Sequence, residues 1–240
     1  MKKETQDKLL KIVEQNYEEI AEEFDETRQK RLWPEVVKLT EQVRDGDRVL
    51  DVGCGNARLA TALINKNIKY TGIDQNQRLI NLAQENIKTV NFQFPIPNFQ
   101  FIIGDILKLS AVTQEKFDHI FCIAVLHHIP GEELRVTALK QMRSCLKPDG
   151  KIVLTVWNLW SDKFKLRGLL VKFALLKAIG FNRLDWGDVL FDWKRNQISQ
   201  RYYHAFRQNG LRRLINRAGL TADKLYHDKY NYYSILRNTR

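Results

Sequence analysis

The residues of this chain that could do chemistry are three acids and two glycines, each set at the end of an apolar run. Val49-Leu50-Asp51-Val52 leads into Gly53-Cys54-Gly55-Asn56-Ala57, Gly72-Ile73-Asp74 closes the next run, and Gly104-Asp105-Ile106 closes the one after. A buried strand that turns at once into a helix needs glycine where its backbone passes close to a ligand. By itself such a turn is equally an ordinary strand-to-helix connection. The acids that follow it in order add the chemistry. One at the end of a second strand is placed to take the two hydroxyls of a ribose, and the third can accept from the amino group of an adenine. Later come His127-His128, after a fourth apolar run, and Arg201-Tyr202-Tyr203-His204-x-Phe206-Arg207. Together with Arg28 these supply cations and donors suited to holding a carboxylate, whose ordinary pKa of ~4 leaves it ionised at neutral pH without a base. An amine or phenol acceptor would instead call for an unpaired acid or histidine. No third histidine or cysteine lies near the histidine pair, so a metal is not expected there. His127 is expected to line the pocket and His128 to cap or pack. Of Tyr202 and Tyr203, alternation along a strand should bury one and leave the other at the site.

The elements that must position these groups alternate. Strands are read at 49–52, 70–73, 99–103, 117–123 and 151–157, with helices at 58–65, 77–87 and 131–146 between them and an irregular stretch with two prolines at 91–98. Such alternation implies a doubly wound, mostly parallel α/β sheet with right-handed crossovers, its ligand at the carboxyl ends of the strands. A closing strand pair, 220–226 and 232–236, makes seven strands. Ahead of the sheet, apolar spacing over 5–24 reads as one long helix or two with a break near Asn16, and Trp33-Pro34 opens another. The chain is read as one domain: an N-terminal helical cap (1–45), a cofactor-binding core (46–158), a basic helical insertion (159–200), and a C-terminal helix with the strand pair (201–240).

Composition bounds the class. The 240 residues are 44% hydrophobic and 28% charged, which is globular rather than disordered. Three scattered cysteines with no C-x-x-C pair argue against a disulfide framework or a structural zinc site and favour a reducing, cytoplasmic setting. No apolar run reaches the ~18 residues of a membrane span, so stable membrane insertion is not expected. The net charge of +11 is uneven: residues 163–217 carry thirteen Lys/Arg against three Asp, a local +10. A field of that sign suits a polyanion, nucleic acid first. The apolar, acid-free stretch 163–180 is read as a lid or packed insertion rather than a membrane-surface helix.

In order, strand–Gly-x-Gly, strand–Asp and strand–Asp resemble the class I S-adenosylmethionine-dependent methyltransferases. Further signatures narrow the likeness. They are Tyr17-x-x-Ile20-Ala21-x-x-Phe24-x-x-Thr27-Arg28 with Trp33-Pro34, Ala124-Val125-Leu126-His127-His128, Val156-Trp157, Val189-Leu190-Phe191-x-Trp193, Arg201-Tyr202-Tyr203-His204-x-Phe206-Arg207 and Tyr226-x-Asp228. Over nearly the whole chain they resemble the tRNA wobble-uridine carboxymethyl methyltransferases, which esterify a carboxymethyl group. The resemblance implies S-adenosyl-L-methionine as cofactor, held by Tyr17, Asp51, Gly53, Cys54, Gly55, Asp74, Gln75, Asp105, Ile106 and Ala124. It implies an acceptor site of Arg28, His127, Arg201, Tyr203 and His204, tRNA bound through 163–217, and a small activating subunit of the kind that eukaryotic relatives use. The chain departs from the family pattern at Ala57, where a glycine is usual, and at Asn158-Leu159-Trp160. The basic helix after Trp160 is particular to this chain. Two other readings stay open: a small-molecule carboxyl or hydroxyl methyltransferase, and a catalytically silent RNA-binding subunit of the same fold.

Overall fold

A computed structural model describes residues 1–28, 32–89, 99–194 and 198–239, with the side chains at 24, 26–28, 193–194 and 198 left aside. The elements run α1 (Lys3–Arg28), α2 (Pro34–Thr40), β1 (Arg48–Val52), α3 (Arg58–Leu63), β2 (Lys69–Asp74), α4 (Gln77–Thr89), β3 (Phe99–Ile103), α5 (Leu109–Val112), β4 (Phe117–Ile123), α6 (Glu132–Ser144), β5 (Leu146–Trp157), α7 (Arg167–Ala178), β6 (Asp188–Lys194), β7 (Ile198–His204), α8 (Gln208–Arg217), β8 (Leu220–His227) and β9 (Asn231–Asn238). Seven of the strands form one sheet in the order β3-β2-β1-β4-β5-β9-β8. The first five are parallel, and β9 enters antiparallel between β5 and β8. The strand order reverses between β1 and β4, so their carboxyl ends diverge there and leave the crevice in which such sheets bind ligands.

Period-two alternation distributes the core over both faces. Leu50, Val52, Ile120 and Leu154 pack toward α6 and α8, while Val49, Tyr70, Phe121 and Val153 pack toward α2, α3 and α4. A sheet covered on both faces needs strands that are apolar throughout, and β1 is buried from Val49 to Val52. Asp51 is the one charged residue in that run.

Several sequence expectations change. Of the two readings of 5–24 the single long helix is the one formed: α1 is unbroken, and buried Asn16 donates its amide to Ser199 Oγ at 2.9 Å, tying the helix to β7. β5 begins at Leu146 rather than at 151. The segment read as a basic helical insertion is helical only in part: α7 starts at Arg167, and the remainder is the antiparallel hairpin β6–β7, a separate two-stranded sheet. Arg201-Tyr202-Tyr203-His204 therefore belongs to this hairpin and not to the C-terminal helix. The packed insertion is also one-sided. Leu166, Leu169, Leu170 and Phe173 join Trp160, Phe164, Val189 and Tyr203 in a cluster, yet Val171, Leu175 and Ile179 are exposed. The proline-containing stretch 91–98 lies outside the described residues.

Candidate active site

The β1–α3 turn is built from backbone that L side chains rarely adopt. Gly53, Gly55 and Ala57 have φ of 73°, 53° and 65°. The amides of Gly53 and Cys54 both donate to the carbonyl of Ile73, at 2.7 and 3.1 Å, fixing the turn to the end of β2. A Cβ on Gly53 would stand 2.3 Å from Val125 Cγ2, so both conformation and space demand glycine. Ala57, where the resembled family favours glycine, holds the same left-handed geometry at a cost of ~1–2 kcal/mol.

Asp74 locks this turn to the next. Its Oδ2 accepts from the Gly55 amide at 3.0 Å and its Oδ1 from the Asn76 amide at 2.9 Å. Burial pushes its carboxyl above the usual range, against those hydrogen bonds. Asp105 caps the turn after β3 by accepting from the Leu107 amide at 2.8 Å. Asp51 is buried, accepts from Tyr70 Oη at 2.6 Å, and is pushed up to about 7, first by burial and then by neighbouring Asp74.

α1 closes the crevice from above. Glu18 pairs with Arg78 at 2.8 Å and accepts from Asn76, and Asp25 accepts from both Asn56 and Asn86 at 2.8 Å. Tyr17 Oη meets His128 Nε2 at 2.8 Å. The enclosed cavity has a volume of about 360 Å³. All ten expected cofactor residues line it: Tyr17, Asp51, Gly53, Cys54, Gly55, Asp74, Gln75, Asp105, Ile106 and Ala124.

The residues expected at the acceptor are not gathered in the same way. His128 lines the cavity, and His127 is fully buried behind it, the reverse of expectation. The reason is the one-turn helix at Leu126–His128, which turns the second ring inward to Tyr17 while His127 stacks on Trp157 at 4.6 Å. Tyr203 lies one layer out, its ring 5.1 Å from His128 and 5.2 Å from Trp157. His204 sits outside the cavity wall, with Nδ1 2.7 Å from Asp188. Tyr202 donates to the same carboxylate at 2.8 Å, and the buried Arg135 guanidinium stands 3.9 Å from it. Burial and Arg135 hold the His204 ring below the usual imidazole range. Tyr202 and Tyr203 are both buried, on different sides of the hairpin. Arg207 lies over the Trp160 ring, 4.3 Å from its centre. Arg201 pairs in register with Phe191 and is absent from the cavity wall among the described residues. The Arg28 side chain lies outside the described residues.

Sequence reasoning missed Leu10, Val13, Glu14 and Glu18, which line the cavity beside Tyr17. The signal was present: positions 10, 13, 14, 17 and 18 share one helix face, and two acids interrupt its apolar run. It also missed Trp157, His128 and Arg58 as wall residues.

The electrostatics of the wall decide what it can hold. Among the described residues of the wall, Glu14, Glu18, Asp51, Asp74 and Asp105 face one cation, Arg58, in a chain of net charge +11. An acidic, glycine-cradled cavity disfavours a dinucleotide's phosphates and suits a nucleoside that carries positive charge. A sulfonium with an ammonium group and a ribose would suit it, with Asp74 available to take ribose hydroxyls and Asp51 to answer positive charge.

A methyltransferase-domain family model matches residues 43–210. A tRNA (carboxymethyluridine(34)-5-O)-methyltransferase of Schizosaccharomyces pombe is 28% identical over 232 residues, covering 93% of this chain and 94% of that protein. A methyltransferase of Encephalitozoon cuniculi is 30% identical over 212 residues, covering 87% of each. A tRNA (carboxymethyluridine(34)-5-O)-methyltransferase of Macaca fascicularis is 32% identical over 160 residues, 67% of this chain. The chain spans about a fifth of the length of the macaque and mouse relatives. Among solved structures, a methyltransferase from Methanosarcina mazei superposes with a TM-score of 0.69 at 20% identity, covering 87% of this chain and 99% of that one, which shows the shared fold. The chain therefore belongs to the methyltransferase-domain family, as an S-adenosylmethionine-dependent enzyme on the Rossmann-like class I fold.

Proposed function

We propose that the methyl acceptor is the carboxymethyl group of a modified wobble uridine in tRNA. The observation that carries this reading is the ring-bearing part of the cavity wall, Tyr17, His128 and Trp157 near the β4 and β5 ends, in a chain of net charge +11. Flat rings suit a splayed pyrimidine, and cations outside suit the phosphates around it. The name of the Schizosaccharomyces pombe relative, matched over nearly its full length, supports the same acceptor.

The bound cofactor supplies an electrophilic methyl and a good leaving group. The chain's own residues supply alignment and dryness, which can be worth ~7–11 kcal/mol. Asp74 and Asp105 hold the nucleoside, Asp51 faces its positive end, and α1 excludes water. A carboxylate oxygen is already ionised and needs no proton removed. Tyr17 and His128, held to each other, steady the acceptor. Arg28 and Arg201 are the proposed countercharges. Arg201 alternates onto the hairpin face of Tyr203, whose ring touches His128. His204 leaves this set for a positioning role through Asp188.

Nucleoside mass spectrometry of tRNA from a deletion strain tests the reading. Accumulation of the free carboxymethyl nucleoside, reversed by the wild-type gene, is expected. Unchanged wobble nucleosides, with methyl transfer to a small carboxylic or phenolic acceptor instead, overturn it. Arg201→Ala should abolish transfer with cofactor affinity held, and loss of cofactor affinity instead refutes its acceptor role.

A further inference from the structure

The outer face of α7 is apolar, basic and uncovered. Val171, Leu175 and Ile179 recur every fourth residue and are 52%, 63% and 66% exposed. Phe181 (84%) and Trp186 (61%) are exposed in the chain that follows the helix. A stretch of large apolar side chains this exposed is uncommon on a monomer and marks a contact surface. From 163 to 184 the sequence holds six Lys/Arg and no acid. The helix does not need an outside partner to fold, because Leu170 and Phe173 anchor its inner side against the hairpin and Trp160.

We propose that this face docks on an anionic lipid bilayer, lying in its interface. The stripe needs an aliphatic counterpart and the lysines need anions, and an acidic bilayer surface presents both in one plane. RNA offers phosphates and base faces but no aliphatic acceptor for Val171, Leu175 and Ile179. A second copy of the same face would set like charges against each other, even with Arg167 already answered by Asp162 at 2.9 Å. Twelve residues of helix span only ~18 Å, and no helix among the described residues is long and apolar enough to cross a membrane, so the contact is superficial. Exposed Phe181 and Trp186 match the depth at which aromatic rings settle in such interfaces. None of these five exposed apolar residues lines the cofactor cavity, so docking leaves the active site open. The inference stands whichever acceptor the enzyme uses.

The full-length protein is sedimented with vesicles of phosphatidylcholine alone and of phosphatidylcholine with phosphatidylglycerol. Binding to the second only, weakened by salt, is expected. The Leu175→Glu/Ile179→Glu variant should lower it by about tenfold or more while melting temperature and S-adenosylhomocysteine affinity stay put, since both side chains are already in water. Equal binding to neutral vesicles, no binding to either, or binding indifferent to the double variant overturns the proposal. So does a concentration-dependent dimer that the variant dissolves, or a tRNA affinity that falls in step with vesicle binding.

Discussion

The two halves of the catalytic region are held by different means. On the cofactor side, positive-φ glycines and backbone amides donating to Asp74 and Asp105 set the geometry, within one run of strand ends from Asp51 to Asp105. On the acceptor side, contacts cross long stretches of chain: Tyr17 to His128 spans 111 residues and Asn16 to Ser199 spans 183. The first half is acidic, the second ring-lined. A backbone-built site tolerates no added atom, whereas a site built from packed side chains degrades by degrees.

The sharpest way to break this contrast is Gly53→Val. Strain at φ 73° and the clash with Val125 together cost ~2–6 kcal/mol. Calorimetry with S-adenosylhomocysteine should show affinity reduced by about 30-fold or more. Affinity kept within about tenfold would mean that the turn is not backbone-fixed. Asp74→Asn comes next. It removes a charged acceptor shared by two amides, worth ~1.5–3 kcal/mol, and should weaken cofactor binding by about 10–150-fold. His128→Ala belongs to the other half: turnover should fall by about 10–100-fold with cofactor affinity almost unchanged. Equal losses in binding and turnover would erase the distinction between the halves.

A smaller effect follows from Asp51. Its carboxyl is pushed up to about 7 from 3.8 in the free chain, so the folded apoprotein favours the protonated form. That stabilising contribution is complete below about 4 and is lost as pH rises toward 7. A positively charged ligand takes the ionised form, so cofactor affinity should run the other way. It should rise by up to about tenfold per pH unit below 7 and level off above, and Asp51→Asn should flatten the profile. Titration calorimetry across that range in two buffers of different ionisation enthalpy reads both the affinity and the proton released.

The same contrast sets how much was legible in the sequence. The parallel sheet and the Gly53, Gly55, Asp74 and Asp105 part of the cavity wall follow from local patterns, since each of these groups sits at the end of an apolar run. The β6–β7 hairpin was missed because Lys194-Arg195 interrupts the apolar pattern between Val189-Leu190-Phe191 and Ile198. The inverted placement of His127 and His128 turns on a single 3₁₀ turn, which adjacent identical residues cannot reveal. His204 looked like a site residue because the sequence gives no sign that Asp188 lies across the hairpin from it.

Charge counting over 163–217 also overstated the free positive field, which leads to the smallest expected effect. Arg217 reaches Glu132 at 2.6 Å and Glu133 at 2.7 Å, and Arg213 reaches Glu132 at 3.5 Å. The Arg217 hydrogen bond holds the Glu132 carboxyl below the usual range. Two cations of α8 are thus answered by acids of α6, about 85 residues earlier in the chain. Arg217→Ala should change tRNA affinity by less than about twofold, because exposed pairs of this kind contribute little. Glu132→Gln with Glu133→Gln should do the opposite and expose both guanidinium groups. If α8 borders the RNA path, the double variant binds tRNA more tightly, with a salt dependence steeper by about 0.7 per added phosphate contact. Filter binding over a salt series separates these outcomes. An unchanged slope places α8 outside the path and confines RNA contact to the hairpin side of the molecule.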